Sequence, residues 1–155
     1  MPKPSPRYSL LIISVSSPLL IGVYADNKRI ETHESPKKTS EILLPVLMQY
    51  LEQYDISEII YTRGPGSYMA IKLTYIILKT LEITRGIKCV GCSAFELNGG
   101  KAIKAIGNLY FIKEKETIIT KKYEQPVIAN FALPLSIDNL VFEKESTPDY
   151  RLPAV

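Results

Sequence analysis

The stretch Glu58–Leu73, "EIIYTRGPGSYMAIKL", decides the fold. A short apolar run, Glu58 to Thr62, meets the glycine turn Arg63-Gly64-Pro65-Gly66-Ser67, and a long apolar stretch follows from Tyr68 to Arg85. A strand that passes through glycines into a helix is an arrangement that can hold phosphate, because N–H groups at a helix N-terminus face outward. A Walker-type loop needs GxxxxGK[ST]. Here the glycines stand two apart, Pro65 between them has no N–H to give, and the next lysine is Lys72, a full turn into the helix. The turn therefore reads as a structural corner. Gly64, Pro65 and Gly66 reverse the chain and Ser67 caps the helix, with the N–H groups of Gly66 and Ser67 left to meet solvent, one anion or a side chain supplied by a partner.

Working outward, three strands come first: Tyr8 to Ser14, Leu19 to Ala25 and Arg29 to Glu34, the last two joined by "DNK", whose Asp and Asn suit a tight turn. Lys3 and Arg7 precede an uncharged run from Tyr8 to Tyr24, as in a signal peptide. Ser14, Ser16, Ser17 and Pro18 break that run into two pieces of strand length, each far short of the ~20 apolar residues a spanning helix needs. The expectation is a cytoplasmic protein with no membrane association.

Ser40 to Tyr54 reads as a helix capped at Ser40, with Pro45 near its true start or kinking it. Tyr68 to Arg85 is a second helix, closed by Gly86, and Lys88 to Cys92 a further strand. The order βββαβαβ over residues 1–97 is that of the ribonuclease H-like half-domain repeated in actin-like ATPases (the ASKHA fold), an α/β architecture with a mixed sheet. From Asn98 onward, "KAIKAI", "NLYFIKE", "ETIITKK" and "NLVFE" read as short β pieces. Residues 98–155 are thus a reduced, β-rich second lobe ending in the extended tail "STPDYRLPAV". The first lobe is complete and the second truncated.

A 155-residue chain with 46% hydrophobic and 23% charged residues has the make-up of a globular domain. Its net charge of +3 comes without a block of like charge, and Lys113, Lys115, Lys121 and Lys122 are interleaved with Glu114 and Glu116. That pattern argues against a tRNA-binding module, which needs a concentrated basic surface. Cys89 and Cys92 form a CxxC spacing, but His33 is the only histidine and there is no second cysteine pair to complete a zinc site. In a strand, residues three apart point to opposite faces, so the pair reads as small buried hydrophobes.

Both helices carry more apolar surface than one sheet can cover. Their apolar residues span about 240° of arc, roughly twice what a helix lying on a sheet requires. Either side-by-side packing of the two helices accounts for all of this, or part of the surplus is a partner surface. The residues expected at that surface are Ile42, Val46, Tyr50, Met69, Lys72, Tyr75, Ile76, Lys79 and Ile83. Catalytic parts are missing from the places where actin-like ATPases keep them. The first hairpin turn, Val15-Ser16-Ser17-Pro18, has neither carboxylate nor glycine, and His33 reads as a surface residue. No ATP or metal site is expected, and the chain reads as a non-enzyme. An actin-like ATPase or kinase with unusual phosphate loops is the rival reading.

Several stretches, in order, resemble the TsaB family, also called YeaZ. "TSEILLP", Thr39 to Pro45, is similar to that family's SE-x-LLP helix start; "RGPGSYMAIKL", Arg63 to Leu73, to its GPGSFTGLR; and "GIKCVGCSAFE", Gly86 to Glu96, to its GIPLVGVSSLE. The tail "TPDYRLPAV" is similar to its P-x-YLR ending. Departures are the Val15-Ser16-Ser17 that stands for the family's DTS, and Met69, Ala70 and Lys72 in place of Thr, Gly and Arg. The resemblance implies a non-catalytic scaffold for threonylcarbamoyladenosine formation at tRNA position 37. Such a chain pairs with a TsaD-like protein through its first-lobe helices or forms a homodimer alone, assembles with a TsaE-like ATPase, and meets tRNA only through the complex.

Overall fold

A computed structural model describes residues 5–105, 107–115, 117–128, 130–142 and 148–149. Its centre is a five-stranded sheet with the order β3-β2-β1-β4-β5. β1 (Tyr8–Ile13), β2 (Leu19–Ala25) and β3 (Lys28–Ser35) form an antiparallel meander. β4 (Ile56–Gly64) joins β1 in parallel, and β5 (Lys88–Ser93) joins β4 in parallel. The β2–β3 turn is a two-residue one: Ala25 pairs with Lys28, and Asp26 and Asn27 have φ of 48° and 67°. Asp and Asn tolerate that left-handed backbone, which matches the twist of the flanking strands.

Helices α1 (Thr39–Gln53) and α2 (Tyr68–Arg85) lie side by side on one face of the sheet. Leu10, Ile12, Ile59 and Tyr61 point into that layer and meet Leu43, Leu47 and Leu78. On the opposite face Leu11, Ile13 and Ile60 pack against the 3₁₀ helix Ala94–Asn98 and against Leu133 and Ile137. Burial on both faces is why the "LLII" of β1 is apolar without alternation. The uncharged run near the N-terminus is consumed by β1 and β2, and no helix among the described residues is long and apolar enough to cross a membrane.

One helix start differs from expectation. α1 begins at Thr39 with Lys38 in the cap position and no side-chain cap bond, so Ser40 lies inside the first turn. Pro45 sits well inside the helix, which runs through it; both Pro45 and Glu41, whose carbonyl loses its usual donor, are exposed, so water can take that bond.

A second, three-stranded antiparallel sheet comprises β6 (Ile103–Lys104), β7 (Leu109–Glu114) and β8 (Thr117–Lys122). Its Ile103 and Phe111 join the second core layer. "NLVFE" is not a strand over its described part: Phe142 makes only an isolated bridge to Cys92. The segment 130–142 instead forms a strap that runs from the 3₁₀ helix out to the β3 edge and back to β5. Asn130 and Ala132 donate to Asn98 and Leu97, Arg29 N–H donates to the Leu135 carbonyl, Ser136 bridges Lys28, and Val141 N–H donates to Glu96. Of the tail expected to be extended, only Pro148 and Asp149 are among the described residues; Asp149 N–H donates to the Arg63 carbonyl at 2.8 Å.

Candidate functional site

The glycine corner is built by close approach. Gly64 has φ +127°, and a β-carbon there would lie 2.7 Å from the Asp149 carbonyl oxygen. One on Gly66 would lie 2.5 Å from Val15 Cβ and 2.7 Å from its oxygen. Both positions therefore require glycine for space. The Ser67 N–H donates to that same Val15 oxygen at 2.9 Å, so it is taken within the chain and unavailable to an anion. This removes half of the expected N–H pair. Ser67 does hold the cap position of α2, yet its side chain makes no cap bond. What fixes the helix start is a backbone bond to the β1–β2 turn together with a buried hydroxyl pair. Thr74 Oγ1 donates to the Ala70 carbonyl at 2.7 Å, which leaves Ser14 Oγ to donate to Thr74 at 2.8 Å.

That anchoring opens a groove of about 730 Å³ between the β1–β2 turn and the N-terminal ends of α1 and α2. Its walls are largely apolar, from Leu19, Pro36, Met69, Leu73 and Ile76, and three lysines line it, Lys37, Lys38 and Lys72. No Asp or Glu does. The corner before α1 is set by Ser35, whose hydroxyl accepts from Lys37 N–H at 3.1 Å.

The nine residues expected at a partner surface divide. Met69, Ile76 and Ile83 are exposed, at 67%, 51% and 75%, with Lys72 and Lys79 beside them. Ile42 and Tyr75 are partly buried against the helix-side core. Val46 and Tyr50 are core residues and are corrected out of the surface set: α1 turns them onto the sheet, because its surplus apolar arc is absorbed by α2. Leu44, 47% exposed, and the groove residues Lys37, Lys38 and Leu73 were not among those expected. Their signal was faint, since the groove is made where three separate segments meet.

His33 is half-buried rather than fully solvated. Its Nε2 is buried and lacks a hydrogen-bond partner among the described residues. A smaller cleft of about 360 Å³ lies between β2, β3 and Phe131–Leu133, where the Arg29 guanidinium is committed to the Leu133 carbonyl at 2.8 Å. Cys89 packs into the helix-side core and Cys92 into the opposite one, so the two sulfurs do not converge. Burial pushes the Cys89 thiol up to about 12, with Glu82 adding to the shift.

No family model matches the sequence, and no curated protein matches it. Solved structures do. YeaZ from Pseudomonas aeruginosa superposes with a TM-score of 0.58 at 13% identity, covering 79% of this chain and 70% of that one. A crystal structure of an uncharacterized protein with similarity to peptidase YeaZ from Pseudomonas aeruginosa gives 0.57 at 13% identity, covering 79% and 69%. With a superposition that spans most of both chains, this chain has the fold of the YeaZ structures.

Proposed function

We propose that this chain is a TsaB-type, non-catalytic scaffold subunit for threonylcarbamoyladenosine formation at tRNA position 37. It pairs with a TsaD-like protein through α2 and the groove at its N-terminal end, assembles with a TsaE-like ATPase, and reaches tRNA only through that complex. The sheet order β3-β2-β1-β4-β5 supports a ribonuclease H-like first lobe over residues 1–97, with 98–155 a truncated second lobe of an actin-like fold. On this reading the protein is cytoplasmic, has no ATP or metal site of its own, and self-pairs when its partner is absent.

The observation that carries the proposal is the exposed line Met69, Ile76 and Ile83 beside an apolar groove, on a fold shared with YeaZ. Apolar side chains aligned along one helix and rimmed by polar groups are the usual anatomy of an association surface.

Light scattering of the chain mixed with a TsaD-like protein tests this. One complex of summed mass is expected, and Ile76→Asp should weaken it at least ~10-fold, because it buries an unpaired charge. Ile76 is a cleaner probe than Tyr75, which also packs on the core. Two separate monomers well above micromolar concentration would overturn the proposal. Magnesium-dependent ATP binding in calorimetry would favour the ATPase or kinase reading instead.

A further inference from the structure

The cleft of about 360 Å³ bounded by β2, β3 and Phe131–Leu133 lies on the sheet face opposite α1 and α2. Its floor is set by register. Leu20 stands opposite Glu34 and Gly22 opposite Thr32, and the alternation of a strand turns Thr32 and Glu34 to one face, about 7 Å apart. Phe131, half-buried, and Leu133 form the facing wall. That wall is tied down: Ala132 N–H donates to the Leu97 carbonyl at 3.1 Å, and the Arg29 guanidinium to the Leu133 carbonyl at 2.8 Å. Leu133 also fills the room left by Gly22, where a β-carbon would lie 3.2 Å from its Cδ2.

The polar groups of the cleft divide by end. Glu34, with Ser16 and Ser17 of the β1–β2 turn, lines one end; Arg29, roughly 15 Å away along β3, lines the other. Among the described residues no hydrogen bond or ion pair engages the side chains of Ser17, Thr32 or Glu34. Arg29 has N–H groups to spare, since a guanidinium carries five and one serves Leu133. One end therefore accepts, the other donates, and an aromatic ring lies on the wall.

We infer that this cleft binds a ribonucleoside, with the ribose diol donating to Glu34, the base against Phe131 and an acceptor of that base meeting Arg29. A carboxylate accepts from ribose hydroxyls, and an aromatic ring takes a flat base. The volume is at the small end of small-molecule sites, which suits one nucleoside. Phosphates are disfavoured, because Arg29 is the only Lys or Arg lining the cleft and Glu34 repels them. A pyranose satisfies Glu34 but, as a single ring, is too short to reach Arg29. The site is on the face away from α2, so nucleoside binding and pairing through α2 stand or fall separately.

Calorimetry of the full chain with adenosine tests this, and a dissociation constant on the order of 0.1 mM is expected. 2′,3′-Dideoxyadenosine, which lacks the diol, should bind at least ~10-fold more weakly. Magnesium-ATP should bind no more tightly than adenosine. Glu34→Gln should weaken adenosine binding about 10-fold with an unchanged melting temperature, since Glu34 is exposed. Phe131→Leu should weaken it by a similar factor, and Phe131→Tyr, which keeps the ring, should not. Amide exchange at 131–133 should slow with adenosine present. No binding of adenosine at millimolar concentration, equal binding of the dideoxy compound, an affinity unmoved by Glu34→Gln or by Phe131→Leu, or methyl glucoside binding in preference to adenosine would each overturn the inference. Tighter binding of magnesium-ATP would overturn it in favour of a phosphate site.

Discussion

Gly66 sits where two turns touch, with Val15 against the face that a side chain would occupy. Gly66→Ala must therefore push the β1–β2 turn away from the start of α2 and strain the Ser67 to Val15 bond. Urea unfolding should report a loss of about 2–3 kcal/mol. Gly99→Ala is the control: φ is +63° but nothing lies within 4 Å, so only about 1 kcal/mol of backbone strain is expected. Among the titrating groups, burial raises Cys89 from 9.0 to about 12 and Tyr24 from 10.0 to about 12, and Tyr61 upward as well. Below pH 9 folded and unfolded states both hold these protons, so their contribution is complete. Above it the unfolded chain ionises first, and stability should fall as pH rises from 9 toward 12. Chemical denaturation across that range checks the sign, and thiol-labelling at pH 8 should leave Cys89 unmodified in the native state, because almost no thiolate is present.

The two helices show how one sequence pattern serves two ends. Both have wide apolar arcs, and the periodicity alone gives no sign of which flank is covered. In the fold α1 spends nearly all of its arc on the sheet and on α2, whereas α2 keeps Met69, Ile76 and Ile83 outside. Ile71, 1% exposed, and Met69, 67% exposed, are two residues apart and should behave oppositely. Ile71→Ala should cost about 2–5 kcal/mol. Met69→Gln should change stability by no more than about 0.5 kcal/mol. Thermal melts of the pair check this. The elements themselves were legible, because Gly64–Gly66 and Gly86 bracket α2 and apolar runs mark β1, β2 and β4. The start of α1 was not. Ser40 is a good capping residue, but the Ser35 bond to Lys37 turns the chain earlier and begins the helix at Thr39.

Across the whole molecule, the strap 130–142 holds the second core layer against the main sheet, and Asn98 is where it is tied. The Asn98 side chain is fully buried, donates to the Lys101 and Ala102 carbonyls at 3.2 and 3.3 Å, and accepts from Asn130 N–H at 2.6 Å. Asn98→Ala strands three backbone groups. We expect it to cost about 3 kcal/mol and to speed amide exchange in the strap before the five-stranded sheet, read by hydrogen–deuterium exchange. Tyr24, whose hydroxyl donates to the Pro134 carbonyl at 2.6 Å, is the second tie on the same segment. Neither was visible in sequence, since Asn98 reads there as an ordinary turn residue in "NGG" and "NLVFE" as a strand.

The sequence by itself determined the order of elements as far as Cys92, a tight turn built on Asp26 and Asn27, the need for glycine at the corner before α2 and the opposite facing of Cys89 and Cys92. All of these follow from local backbone preference and side-chain period. Tertiary structure alone decided which apolar residues stay outside, that Ser67 gives its N–H to Val15, and that Lys37, Lys38 and Lys72 share one groove. Those facts depend on contacts between segments far apart in the chain, and no local pattern encodes such a meeting.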